Sequence, residues 1–225
     1  MSNLNLSNAD EFVSALEQHA PRYDVRLNAS SLSRLREYYE LVMDWNTRLH
    51  LVAPCPPKEF ATRHVLESLL AAPYLTEGAR VVDVGSGAGL PLIPCLILRP
   101  DLSATLIDSS QKKAIFLREA LRKIGIQNSA RVIAERFETM PPPEADFITC
   151  RALDRFIEMF PQLVEWSPNS STLLLFGGET LSEQITSLKL AHQALLIPET
   201  ERRFLFIIKK SSKFQVPSQR KGFDL

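Results

Sequence analysis

Along the first 75 residues the apolar positions recur at three- and four-residue steps, and from residue 80 onward they collect in short runs separated by helical stretches. Phe12, Val13 and Leu16 follow Ser7 and Asn8, either of which can cap a first helix by accepting from a free backbone N–H. Leu32, Leu35, Tyr38, Tyr39, Val42, Met43 and Trp45 mark one face of a second helix over 30–49. Pro54, Pro56 and Pro57 break the chain, and a third helix is expected over 58–74. The period then changes. Short β-rich runs begin at Arg80, Ser103, Arg131, Asp146, Thr172 and Arg203, with helical stretches over 90–98, 111–124, 154–166 and 180–191 between them. Strands alternating with helices imply a mostly parallel sheet covered on both faces. Pro141, Pro142 and Pro143 read as a loop before a strand, not as a domain linker.

The most specific motif is the run from Val81 to Pro91, which leaves a strand and enters a helix with glycines at 85, 87 and 89. Glycine lets the backbone turn tightly and lets a ligand approach the main chain. A dinucleotide fingerprint needs glycine at position 90, where Leu90 stands, and no Gly-Lys-Ser/Thr follows to make a phosphate loop. Asp83 precedes the first glycine, and Asp108 ends the next strand 25 residues later. A carboxylate at Asp83 is unfavourable for pyrophosphate and suits a cationic amino-acid moiety. One at Asp108 can accept both hydroxyls of a ribose. S-adenosyl-L-methionine has a ribose, an amino-acid tail and no phosphate, and fits this set best.

Bulk properties narrow the class further. A chain of 225 residues, 45% hydrophobic and 23% charged, can bury a sizeable core. It has no apolar run of membrane-spanning length, and its first residues lack a secretory leader pattern, so a cytoplasmic protein with no membrane partner is expected. Cys55, Cys95 and Cys150 are too scattered for a disulfide framework, and the histidines show no metal-ligand spacing. The 26 basic and 26 acidic residues cancel, but a basic run near the end of the chain (Arg202, Arg203, Lys209, Lys210, Lys213, Arg220, Lys221) is a candidate nucleic-acid contact.

The runs DVGSGAGLPLIP, RPDLSATLIDSSQKKAIFLREA and ITCRAL resemble the bacterial ribosomal RNA small subunit methyltransferase G family, also called glucose-inhibited division protein B. The helical part around Asp44-Trp45-Asn46 and Arg63-His64 resembles that family as well. The resemblance implies a Rossmann-like class I methyltransferase: a mostly parallel seven-stranded sheet with helices on both faces and an N-terminal helical extension. It implies an extension over 1–75 and a cofactor-binding core with a basic tail over 76–225. It also implies methyl transfer from S-adenosyl-L-methionine to N7 of a guanine in 16S ribosomal RNA, on naked RNA or the small ribosomal subunit. A monomer is the simplest assembly.

For the cofactor, the resemblance points to Gly85 and Leu90 in the turn, Asp108 and Ser109 after the second strand, Phe137 and Glu138 after the third, and Arg151 after the fourth. Asp83, Ser86, Gly87 and Gly89 complete the turn itself. Family members usually carry Asn-Leu-Thr where this chain has His50-Leu51-Val52, an aspartate at Glu67, and a lysine before the glycine after the fifth strand, where Gly177-Gly178 follow Phe176 here.

Guanine N7 carries a free lone pair, so no general base is nominated. Arg151 is expected between cofactor and substrate, on an RNA phosphate or a guanine edge; a structural pairing with a carboxylate such as Asp154 is the other reading. His64 is a candidate substrate contact, with a purely structural role as its alternative. Lys112 and Lys113 read as a solvated helix face or a phosphate contact. A methyltransferase of another base, protein or small molecule, and a non-catalytic RNA-binding assembly protein, remain as alternative functions.

Overall fold

The computed structural model describes residues 7–151 and 156–209. Lys210, Lys213, Arg220, Lys221 and Asp154, all named above, lie outside the described residues.

The helical part begins with α1 (Asn8–His19), and Ser7 is the cap that forms: its side chain accepts from the Asp10 N–H while Asp10 reaches back to the Ser7 N–H. Next comes α2 (Ala29–Leu49), capped by Asn28 and ended by His50 at φ 48°. The expected third helix is interrupted. An α turn, α3 (Pro57–Glu59), runs into a π-helical stretch over Phe60–Leu66, then a second α turn, α4 (Glu67–Leu69), and a 3-10 turn over Ala72–Tyr74. A π-helical stretch widens the turn and shifts which carbonyls are free, a distortion found often at functional sites. Phe12 stacks on Tyr39 with centroids 4.4 Å apart, and Phe60 packs edge-on against both. Such aromatic pairs add ~1 kcal/mol each beyond their area.

Seven strands form one sheet in the order β3-β2-β1-β4-β5-β7-β6. They are β1 (Arg80–Val84), β2 (Ser103–Ile107), β3 (Ala130–Ile133), β4 (Phe147–Cys150), β5 (Thr172–Gly177), β6 (His192–Leu196) and β7 (Phe204–Lys209). β1 to β5 are parallel, and β7 alone runs antiparallel to its neighbours β5 and β6. The connecting helices are α5 (Leu92–Leu98), α6 (Gln111–Lys123), α7 (Phe156–Trp166) and α8 (Glu179–Ser187).

Alternation along the strands feeds two cores. Val81, Leu106, Leu174 and Leu205 pack with α1, α2, α5 and α6 on one face. Val82, Ile107, Leu173, Leu175 and Phe206 pack with Phe160, Leu163, Leu181 and Ile185 on the other.

Two expectations need correction. The helix read over 180–191 stops at Ser187, because Lys189 takes φ 53° and turns the chain. The residues that follow form β6, a strand absent from the runs read in the sequence; as an edge strand with alternating exposure it carries no continuous apolar signal. The helix expected from Leu90 starts at Leu92. Among the described residues no helix is long and apolar enough to cross a membrane, and no group of three or more His, Cys, Asp or Glu side chains is placed to hold a metal.

Candidate functional site

At the C-terminal ends of β1, β2 and β4 the chain opens a cleft of about 780 Å³, within the usual range for small-ligand sites. Its floor is the glycine turn. Gly85 and Gly87 stand at φ 71° and 52°, conformations that a side chain resists. The turn is tied down from below: the N–H groups of Gly85 and Ser86 both donate to the Ile107 carbonyl, at 2.9 and 3.0 Å. From above, Tyr38 on α2 donates its hydroxyl to the Ala88 carbonyl at 2.7 Å.

Asp108 organises the next wall. One oxygen accepts from the Gly87 N–H at 2.8 Å and the other from the Ser110 N–H at 2.8 Å. The carboxylate thus joins the tip of β2 to the turn after β1. Each oxygen keeps further acceptor capacity toward the cleft. Ser109, Phe137 and Glu138 continue the lining past the tip of β3. Phe137 is buried against Trp166 with ring centroids 5.4 Å apart, and Glu138 accepts from Arg136 at 2.8 Å.

Of the turn residues named from sequence, Gly85, Ser86, Gly87 and Leu90 line the cleft. Gly89 and Asp83 do not. Gly89 faces the packing between α5 and α6: a Cβ there would collide with Cδ1 of Ile93. Asp83 lies beneath the turn, fully buried, with one oxygen accepting from Thr149 at 2.7 Å and the other without a hydrogen-bond partner. Burial pushes its carboxyl up to about 7, against the pull of the Ser86 hydroxyl, which donates to the Asp83 main-chain carbonyl, and of the Thr149 hydrogen bond, and with a smaller push from Asp108. A buried acceptor left open beneath the turn calls for a partner such as an ordered water.

Arg151 lines the cleft at the tip of β4, but its donors point into the helical part. It donates to the His64 carbonyl and the Ser68 hydroxyl, both at 3.0 Å, and to the Arg63 carbonyl. Its guanidinium lies 3.4 Å from Glu67, and Arg203 pairs with the same carboxylate at 2.7 Å. The carboxylate partner in the described structure is therefore Glu67, from another element. Burial pushes Glu67 up against the pull of both arginines, and draws Arg151 down to about 10, still a cation at neutral pH. His64 lines the cleft too. Burial, with Arg151, Arg63 and Arg203 nearby, drives its pKa down to about 3, so its imidazole is neutral at physiological pH.

The basic residues diverge. Arg203 stands beside Glu67 near the cleft, and Arg202 is exposed 3.9 Å from Glu179. Lys209 pairs with Thr172 at the opposite end of β7, about 17 Å away at the usual rise per residue. Ala53, Glu135, Arg136 and Met159 line the cleft without having been singled out in the sequence, and Leu51 and Val52, noted there only as a departure from the family's pattern, line it too. Lys113 lines it as well, so it is not confined to a solvated helix face.

The donor set suits a ligand with ribose hydroxyls, a flat ring and a cationic end. Asp108 can take the hydroxyls, the apolar surface of Ile107, Phe137 and Met159 the ring, and the Gly85–Gly87 turn above the open oxygen of Asp83 the cationic end. No phosphate cradle is formed, since a carboxylate occupies the turn's N–H of Gly87.

The family described as rRNA small subunit methyltransferase G matches residues 31–211. A protein of Xanthomonas axonopodis pv. citri named ribosomal RNA small subunit methyltransferase G is 46% identical over 129 residues, 57% of this chain and 60% of that protein. One of the same name from Sorangium cellulosum is 36% identical over 168 residues, 72% of this chain and 70% of that protein. The chain thus spans about 60% of the length of the first of these curated relatives. Among solved structures, a mitomycin 7-O-methyltransferase superposes with TM-score 0.58 at 18% identity, over 92% of this chain and 74% of its own. A SAM dependent methyltransferase from Aquifex aeolicus superposes with TM-score 0.53 at 16% identity, over 67% and 92%. The shared architecture is the Rossmann-like fold of these methyltransferases.

Proposed function

Because the chain belongs to the rRNA small subunit methyltransferase G family, we propose that it methylates N7 of a guanine in 16S ribosomal RNA with S-adenosyl-L-methionine as donor. The observation that carries this reading is one of position. Every residue lining the cleft, from Leu51 to Met159, falls inside the matched stretch of 31–211.

The cofactor supplies an electrophilic methyl group on a sulfonium; as the new C–N bond forms, the S–C bond breaks and its electron pair stays on sulfur. In this reading Asp108 and Ser109 bind the ribose, Phe137 and Glu138 flank the adenine, and Gly85, Ser86, Gly87 and Leu90 hold the amino-acid end. Asp83 acts from below the turn and Gly89 shapes it. Arg151 fixes the His64 segment against the cleft. N7 of guanine loses no proton, so the protein needs no base. Its task is to align the lone pair and exclude water, which supplies about 7 kcal/mol or more in favourable cases. His64, held neutral, can offer one N–H and one acceptor to the base without adding charge.

Arg202 and Arg203 are assigned to RNA phosphates near the cleft and Lys209 to a more distant stretch of the same RNA; Lys210, Arg220 and Lys221 are assigned to the RNA as well. The division into an extension over 1–75 and a core over 76–225, a monomeric state, a cytoplasmic location and action on the RNA within the small subunit all belong to this reading.

The test is to incubate the protein with labelled S-adenosyl-L-methionine and undermodified small ribosomal subunits, then map the label. Label at a single guanine N7 is expected. Label on another base or on protein overturns the substrate, and no label with cofactor bound favours an RNA-binding assembly role.

A further inference from the structure

The two sides of the cleft differ in chemistry. The strand tips bring Asp108, Ser109 and Glu138; the helical part brings Leu51, Val52, Ala53 and His64. Those three apolar residues sit between α2 and the π-helical stretch. Leu51 and Val52 pack partly on the helical-face core, and Ala53 is exposed.

Asn46 fixes their position. Its side-chain amide donates to the Val52 carbonyl at 3.1 Å and accepts from the Val52 N–H at 3.0 Å. This two-point clamp imitates a strand ladder within one residue pair. It follows directly from the left-handed cap at His50, which reverses the chain so that Val52 lies back beside the last turn of α2. The Val52 N–H is used by this clamp, so the segment offers the cleft no main-chain donor at that residue.

We propose that Leu51, Val52 and Ala53 form the wall on which the methyl acceptor, a neutral purine base, lies flat, with Asn46 as the positioning residue of that wall. The inference rests on the functional reading above and extends it to the acceptor's half of the cleft. A flat apolar wall with one neutral imidazole suits an uncharged heteroaromatic ring and not a phosphate or carboxylate. The guanidinium of Arg151 is directed to the His64 and Arg63 carbonyls instead. Methylation at N7 leaves the base cationic. Arg63, Arg151 and Arg203 lie near His64, each paired with a carboxylate, Glu59 or Glu67, which offsets their effect on that cation.

Methyl NMR on the full chain reads the wall without turnover. S-adenosylhomocysteine is added first, then guanosine 5′-monophosphate. The nucleotide is expected to shift the Leu51, Val52 and Ala53 methyls, while S-adenosylhomocysteine shifts Leu90 and Ile107 instead. A response of residues 51–53 to S-adenosylhomocysteine, or none to the nucleotide, overturns the proposal; the first result would make the segment a cover for the cofactor.

Kinetics give the second arm. Val52→Ala and Asn46→Ala should each lower kcat/KM for the RNA by about tenfold or more, with S-adenosylhomocysteine affinity within about twofold of wild type, inside the usual scatter of such measurements. Unchanged kinetics, or a parallel loss of cofactor affinity, counts against the wall. A wild-type protein that transfers no methyl group to ribosomal RNA defeats the functional reading, while the NMR response still decides whether a purine lies on residues 51–53.

Discussion

Arg151 donates to the main-chain carbonyl of His64 at 3.0 Å, so a residue at the tip of β4 closes a turn of the π-helical stretch. That bond, with those to Arg63 and Ser68 and the contact with Glu67, makes Arg151 a joint between sheet and helical part. Arg203 still pairs with Glu67 when Arg151 is removed, so what is lost is the donor to three acceptors at once, each left short of a partner. Arg151→Ala should destabilise the protein by ~3–5 kcal/mol in urea unfolding. A change under about 1 kcal/mol, typical of an exposed pair, would show that the joint is not structural.

The orphaned oxygen of Asp83 gives a pH signature. Its folded-state pKa is about 7 against an ordinary 3.8. Between those values the folded protein keeps a proton that the unfolded chain has lost, so stability falls as pH rises through this window and levels above it. Asp83→Asn lacks this titration. Its unfolding free energy should gain on wild type from pH 4 to 8, by on the order of a few kcal/mol. Parallel curves for the two proteins would place the titration elsewhere.

A cation bound above Asp83 would favour the ionised carboxylate. Calorimetric titrations with S-adenosyl-L-methionine should therefore show proton release near neutral pH and tighter binding at pH 8 than at pH 6. Heats that do not depend on buffer ionisation enthalpy would separate Asp83 from the ligand.

His64 carries the opposite sign. Its pKa falls from 6.5 to about 3 in the folded protein. On acidification below about 6.5 the unfolded chain takes up a proton that the folded protein refuses, so stability is lost as pH falls through that window. His64→Gln should flatten this part of the profile in thermal melts, leaving the decline above pH 4 set by Asp83 in view.

Gly89 is a packing position. It stands at φ 88°, and a methyl group added there would run into Ile93 and lie 3.3 Å from Leu117 Cδ2, so Gly89→Ala should lower stability. A loss of ~1–3 kcal/mol is expected for such overpacking. Combining it with Ile93→Ala should not restore wild-type stability, because the backbone strain remains and the second change opens a cavity.

Much of this was written in local patterns. β1 and its glycine turn are legible because β-branched residues, a carboxylate and three closely spaced glycines lie within eleven residues, and each acts on its own stretch of backbone. The five parallel strands, α2 and α6 follow from apolar periodicity for the same reason. A cap at Ser7 or Asn8 and the carboxylate at Asp108 needed only their neighbours in sequence, and the structure chose Ser7. β6 was hidden because an edge strand buries one face and takes its definition from pairing with β7. The π-helical distortion of the third helix was hidden because its free carbonyls are satisfied by Arg151, 87 residues beyond His64. Local sequence was enough to locate the glycine turn and to mark Asp83 and Gly89 as belonging to it, while Arg151 was marked through the family resemblance. Tertiary structure decided that Asp83 lies beneath the turn, that Gly89 serves packing, and that Arg151 spends its donors on the helical part. Those assignments depend on which distant groups compete for the same buried hydrogen bonds, and no local pattern carries that information.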